Sequence, residues 1–224
     1  MPTRREFITK AVRLGAAVTL STHAHNLQAT ETIGVEVSDV QSQLNLTRVH
    51  SIVRPKAVED IQEALRTAQR DGRAVSVAGG RHAMGGQQFG RDTILIDTTP
   101  LNSIISFDKI KGHIEVQGGI EWPELIGYLI REQAGQDKQW SIREKQTGID
   151  RVSLGGSLAS NIHGRGLRFT PIIGDIESFV LIDAQGKLHT CNRRENMELF
   201  RLAIGGYWSV RHHRPSYATS STPH

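Results

Sequence analysis

Apolar residues in this chain fall mostly into short alternating or continuous runs divided by glycine turns, with helical spacing in only a few places. Val58, Ile61, Leu65 and Ala68 stand three or four positions apart, which places them on one face of a helix. Pro55 stands near the start of that segment and Asp71-Gly72 closes it, so the spacing predicts a helix to about Arg70. Arg54, preceding a proline, is pushed from helical angles and ends an extended segment. Ala74 to Val77 predicts a short strand that runs straight into a glycine-dense turn. Strands are also predicted over Thr93–Asp97 and His113–Val116, and a helix over Trp122–Arg131 opened by Trp122-Pro123-Glu124. Ser178–Ile182 and Lys187–Cys191 read as two strands about the turn Asp183-Ala184-Gln185-Gly186. A short helix over Glu195–Ile204 precedes Gly205-Gly206.

The two ends depart from this pattern. Thr3-Arg4-Arg5-Glu6-Phe7-Ile8-Thr9-Lys10 resembles the twin-arginine export motif of bacteria, followed by a weakly apolar stretch, Ala11 to Leu20, interrupted by Arg13. Residues 1–30 are therefore read as a signal segment, with a periplasmic or exported location if it functions and a cytoplasmic one if not. A basic amphipathic N-terminal helix is the other reading. A polar stretch from His23 to about Gln43 leads to the organised region, which is expected to begin near residue 44. From Trp208 a Ser/Thr-rich tail with no repeating apolar face is expected to be disordered. No segment is long and apolar enough for a stable transmembrane span.

With 224 residues, the chain holds one substantial domain, or one and part of a second. Its 38% hydrophobic content with 22 glycines points to a loop-rich α/β protein rather than a coiled coil. The formal charge of +4 comes from basic residues scattered among acids, with no basic stripe or spaced aromatics, which argues against a nucleic-acid partner. Cys191 is the single cysteine, so the chain cannot form an internal disulfide, and no metal site is expected.

The chemistry concentrates in two glycine regions. The first, Val75-Ser76-Val77-Ala78-Gly79-Gly80-Arg81-His82-Ala83-Met84-Gly85-Gly86-Gln87, carries one histidine in a turn whose successive N–H groups can form a concave anion site. It lacks both the G-x-G-x-x-G spacing of a dinucleotide fingerprint and the G-K-[ST] of a P-loop. The second comprises Thr147-Gly148 and then Val152 to Gly166, rich in small residues that permit close packing against a ligand or against the first loop. Two such regions, each after a strand candidate, fit an extended cofactor with a diphosphate at its middle. Two ordinary tight turns are the alternative. His113 and His189 fall within strand candidates and are read as structural or surface residues.

Together these segments resemble the PCMH-type FAD-binding domain of the vanillyl-alcohol oxidase and p-cresol methylhydroxylase superfamily. The resemblance rests on Ser51-Ile52-Val53-Arg54-Pro55 with its helix, the loop Ala78 to Gln87, Val116-Gln117-Gly118-Gly119-Ile120-Glu121-Trp122, Ser153 to Gly164, and Glu198 to Gly206. It leans toward the sugar-lactone oxidases and decaprenylphosphoryl-ribose oxidases. The implied fold is α+β: two α/β subdomains, about 44–98 and 99–207, with a small parallel sheet and a larger mixed or antiparallel sheet flanked by helices. The implied cofactor is FAD, its pyrophosphate wrapped by Ala78, Gly79, Gly80, Arg81, His82, Ala83, Met84, Gly85 and Gln87. His82 matches a histidine often bonded covalently to the flavin 8α-methyl, whereas Arg81 replaces a glycine common just before it. Gly118 belongs to the same lining, and the resemblance places Thr147, Gly148, Ser153, Gly155 and Gly156 along the second side of the FAD. Ser160, Asn161, His163 and Gly164 follow toward the flavin.

The implied reaction passes a hydride from the CH–OH group of a small alcohol, sugar or aldonolactone to flavin N5, and no residue here clearly supplies the base. The family pattern stops after Tyr207, so the chain is expected to be a truncated N-terminal half without the substrate domain. Three readings stay open: half of an oxidoreductase, a silent remnant or flavin-binding module needing a partner chain, and a nucleotide-binding module without redox work.

Overall fold

The computed structural model of the protein describes residues 34–166 and 168–206. The signal segment and the tail from Trp208 lie outside the described residues.

A helix and a three-stranded parallel sheet form the first structural layer pair. The strands are β3 (Ser51–Val53), β4 (Val75–Ala78) and β5 (Ile94–Asp97), in the order β3-β5-β4. The central strand β5 reads Ile-Leu-Ile, and all three side chains are buried, as a parallel strand covered on both faces requires. Side chains alternate across the pleat. Ile94 and Ile96 face helix α1 (Val58–Arg70), packing with Ala64, Leu65, Ala68 and Val75. Leu95 faces the other way and packs with Ala78, Val37 and Val49.

Val37 and Val49 come from an antiparallel ribbon, β1 (Val35–Val37) with β2 (Thr47–Val49). The stretch to Gln43 therefore contributes a strand to an ordered layer, which begins nine residues before the expected start at 44. Three-residue strands are too short to show alternation against a polar background, which is why the pattern concealed them.

Helix α1 starts where Asp60 accepts from the N–H groups of Lys56 and Ala57 at 2.7 and 3.1 Å, satisfying donors the helix leaves free. It ends at Asp71, with Gly72 left-handed at φ +64°. The predicted apolar face is the buried one, with Ala64 added to it.

The second half builds its own core. The ribbon of β6 (Ile104–Asp108) and β7 (His113–Val116) packs its apolar side with α2 (Trp122–Glu132), whose Trp122, Leu125 and Leu129 are buried. The short α3 (Leu154–Ala159), missed in the sequence because its glycines disguise helical spacing, lies next to this core. Trp122 Nε1 donates to Ser157 Oγ at 3.0 Å, a buried bond that fastens α3 to the start of α2. The hairpin β8 (Ser178–Ile182) and β9 (Leu188–Asn192) pairs in antiparallel register and carries α4 (Met197–Ala203), with Phe179 stacked on Phe200 at 5.4 Å. The α+β class with a small parallel sheet and antiparallel strands flanked by helices is what the structure shows; the antiparallel pairs stand as separate two-stranded ribbons among the described residues.

The hairpin also reaches back to the first half. Ile182 packs against the α1 cluster, and Gln62 Nε2 donates to the Gly186 carbonyl at 2.7 Å.

Because Leu95 is 1% exposed in the central strand, Leu95→Ala should cost about 2–5 kcal/mol. Urea unfolding should show it as a lower midpoint with an unchanged slope.

Candidate functional site

Four backbone segments meet at the ends of β4 and β5, and the glycines lie where they touch. A Cβ on Gly79 would sit 2.0 Å from Ser153 Oγ, and one on Gly80 would sit 2.3 Å from the Arg151 carbonyl. The N–H of Gly155 donates to the Gly118 carbonyl at 2.7 Å. Gly119 is tighter still, since its Cβ would fall 1.9 Å from the Thr98 carbonyl. Thr98 in turn donates from N and Oγ1 to the Ala78 carbonyl, at 2.8 and 3.2 Å. The two glycine regions are thus neighbours, as a shared cofactor cradle demands.

The small residues at 155 and 156 pack closely against the chain, since a Cβ there would meet the Gly118 carbonyl at 3.0 Å and Ser153 Oγ at 3.1 Å. Ser153, 1% exposed, caps α3 by accepting from the Gly156 N–H at 3.2 Å.

An open cleft of about 310 Å³ lies over this junction, lined by Val40, Gly79, Gly80, Arg81, His82, Asp97, Thr99, Glu121 and Arg151. Its first wall is the β4 loop. Among the described residues, the N–H groups from Gly79 through Met84 donate to no protein acceptor, although the chain around them is ordered. Such a row of free donors is the makings of an anion site. Arg81 sits at φ +56°, a left-handed angle that costs a side-chain-bearing residue about 1–2 kcal/mol and that glycine adopts freely. The loop keeps this turn despite the substitution.

A turn from residues 39 to 45 covers the loop from outside, and sequence reading missed it. The Val40 N–H donates to the Arg81 carbonyl at 3.0 Å, and Asn45 Nδ2 to the Gly85 carbonyl at 2.8 Å. Ser42 Oγ accepts from the Gly85 N–H at 3.3 Å, and Gln41 Nε2 lies 3.0 Å from His82 Nδ1, to which it donates. Asp39, 1% exposed, organises the turn by accepting from the N–H groups of Gln41 and Ser42 and from Ser42 Oγ. The Ser42 N–H bond is the main cause holding its carboxyl at about 2, below the ordinary 3.8. The signal available in the sequence was Asp39 three residues before Ser42, the pattern of a side chain that accepts from its own turn.

Charge on the cleft wall is mixed. Arg54 pairs with Asp97 at 3.3 Å and Arg151 with Glu121 at 3.3 Å. Neither acid nor Thr99 stood among the sequence candidates, since lone polar residues at strand and helix ends carry no motif.

The remaining candidates spread outward. Ala78 forms the floor beneath the loop, while Ala83, Met84 and Gln87 continue past the cleft, with Met84 and Gln87 exposed. Gly118 is exposed beside Gly155. Thr147 and Gly148 lie on an exposed loop, with nothing within 4 Å of a Cβ on Gly148. Ser160 Oγ donates to the Gly156 carbonyl at 2.9 Å, and the exposed His163 donates from Nδ1 to the Gly164 carbonyl at 2.9 Å. The Gly164 N–H donates to buried Glu144. Asn161 is left-handed at φ +44°, and its buried Oδ1 has no protein partner. His189, away from the cleft, pairs with Asp183 at 2.7 Å in the β8–β9 hairpin.

A family model described as an FAD binding domain matches residues 49–192, from β2 to the end of β9. The chain belongs to this family. The FAD-binding domain is 26% identical over 155 residues to an L-gulono-1,4-lactone dehydrogenase of Mycobacterium tuberculosis, covering 69% of this chain and 34% of that protein. It is 25% identical over 150 residues to the L-gulonolactone oxidase of Bos taurus, covering 67% and 32%. A cytokinin dehydrogenase 5 of Oryza sativa subsp. japonica shares 24% over 196 residues, covering 78% and 35%. The chain spans about a third of the length of these curated relatives. It is a distant relative of sugar-lactone oxidoreductases.

Two outcomes follow from this geometry. Gly79→Ala should destabilise the domain, and Ser153→Gly, which removes the atoms it meets, should recover part of the loss; a double-mutant cycle in urea should therefore show favourable coupling. Asp39 has a folded pKa below its unfolded one, so its contribution is complete above about pH 4 and disappears as pH falls toward about 2. Asp39→Asn should flatten that acid limb of a stability–pH profile.

Proposed function

We propose that this chain binds FAD along the cleft, with the diphosphate on the N–H groups of Gly79 to His82, and forms the flavin-carrying part of an oxidoreductase acting on a CH–OH group. The observation that carries this reading is the row of free backbone donors in a chain of the FAD-binding family. The fit is chemical: donors without acceptors, close to the positive side chains of Arg81 and Arg151, match an anion of two phosphates. Arg54 stands near the same wall through its pair with Asp97. When bound, the flavin supplies the two-electron acceptor that no side chain here provides.

His82 is the residue to which the flavin is attached in this proposal. Its ring lies on the cleft wall, partly buried, and Gln41 fixes its orientation through Nδ1. Asn161 supports the second side of the cofactor through its unpartnered Oδ1. The substrate class, a sugar, aldonolactone or related small alcohol, follows the names of the lactone-oxidising relatives.

Purified chain should carry or take up FAD and show a flavin absorbance band. Acid precipitation should leave the colour in the pellet of the wild type, whereas His82→Ala should release it to the supernatant while still binding FAD. A wild-type chain that never acquires flavin, even when refolded in excess FAD, would refute the proposal.

A further inference from the structure

Glu121 does not suit a site made for phosphates alone. Its backbone is fixed between the buried Ile120 and Trp122 and pairs with Ser153 in an isolated bridge, so the side chain is carried into the cleft by packed neighbours. Oε2 accepts from Arg151 Nη1 at 3.3 Å. Oε1 has no hydrogen-bond partner among the described residues and lies 3.4 Å from where a Gly80 Cβ would stand, beside the free N–H row. Asp97, the other acid on this wall, is engaged at both oxygens: Thr99 donates to Oδ1 from Oγ1 at 2.6 Å and from N at 3.2 Å, and Arg54 faces Oδ2. Glu121 Oε1 is therefore an open acceptor on a wall of donors.

Phosphate oxygens and a carboxylate both offer only lone pairs, so they repel when placed side by side. A hydroxyl has a proton to give and is matched to such an acceptor. Resting on the FAD reading above, we propose that Glu121 Oε1 accepts a hydrogen bond from a sugar or polyol hydroxyl next to the diphosphate. Glu121 is then a specificity-determining residue that separates a nucleotide from bare diphosphate. Two parts of FAD carry this chemistry, the ribose of the adenosine and the ribityl chain.

The test titrates the full chain with FAD, ADP and inorganic pyrophosphate, comparing wild type, Glu121→Gln and Glu121→Ala at position 121, each carrying His82→Ala so that the flavin stays untethered and its binding is reversible. The Glu121 side chain makes no capping bond to α2, so the helix start survives both changes. Glu121→Ala should weaken FAD binding about tenfold or more, in the range for a hydrogen bond to a charged group. Glu121→Gln, which keeps an acceptor without the charge, should weaken it less. Pyrophosphate should bind both variants as well as the wild type or better, since a repelling charge is gone. ADP that weakens with FAD assigns the hydroxyl to the adenosine ribose, and ADP that behaves as pyrophosphate assigns it to the ribityl chain. FAD binding unchanged or tightened in Glu121→Ala overturns the proposal, as does an equal weakening of pyrophosphate. Failure of the wild type to bind FAD removes the FAD reading and this proposal with it, whereas normal wild-type binding with an unaffected variant removes this proposal alone.

Discussion

Backbone touching backbone is the constraint on which this molecule turns. Gly79 lies against Ser153 and Gly119 against Thr98 and Leu101 at separations that leave no room for a Cβ, and Gly155 lies nearly as close to Gly118. These contacts tie the loop after the parallel sheet to the start of α3 and to the entry of α2. The donor row of the β4 loop keeps its shape because it is braced from behind by this junction and from outside by the Asp39 turn. The inner brace is backbone contact, whereas the outer one works through the side chains of Asp39, Ser42 and Asn45.

The two cores explain how short elements suffice. In the first, β5 is sandwiched between α1 and the β1–β2 ribbon, so three consecutive residues fill both faces. In the second, Trp122 is both a large apolar plug and a hydrogen-bond donor to Ser157, which fixes the direction of α3 relative to α2. A helix of six residues rich in glycine would not persist alone. Here its serine cap and the Trp122 bond hold it.

Much of this was legible in the residues. Helices α1 and α2 appeared through apolar spacing, and the β8–β9 hairpin through its turn residues, with boundaries shifted by one to three positions in places. The glycine regions were legible as sites of close approach, and their meeting was expected on the reading that they share a cofactor. What spacing could not reveal was partnership. Ribbon β1–β2 gains its order from Leu95, a residue far along the chain, and nothing local marks Val37 and Val49 as its cover. The cleft acids were hidden for the same reason, because Asp97 and Glu121 become neighbours of the loop only after three segments converge. The glycines at 155 and 156 were legible as points of close packing, and among the described residues they lie against Gly118 and Ser153. Arg81 was recognisable as a departure from the resembled pattern, and its left-handed backbone supplies the reason glycine is usual there.

The reach of the β8–β9 hairpin back to α1 has a bearing on how the protein is made. Ile182 and the Gly186 carbonyl close over a helix that emerges from the ribosome more than a hundred residues earlier. During synthesis the parallel sheet can form, but the outer flank of its helix stays wet until the hairpin arrives. The nascent chain must therefore carry an unsealed apolar flank while more than a hundred further residues are made, a window in which a holding chaperone has something to grip.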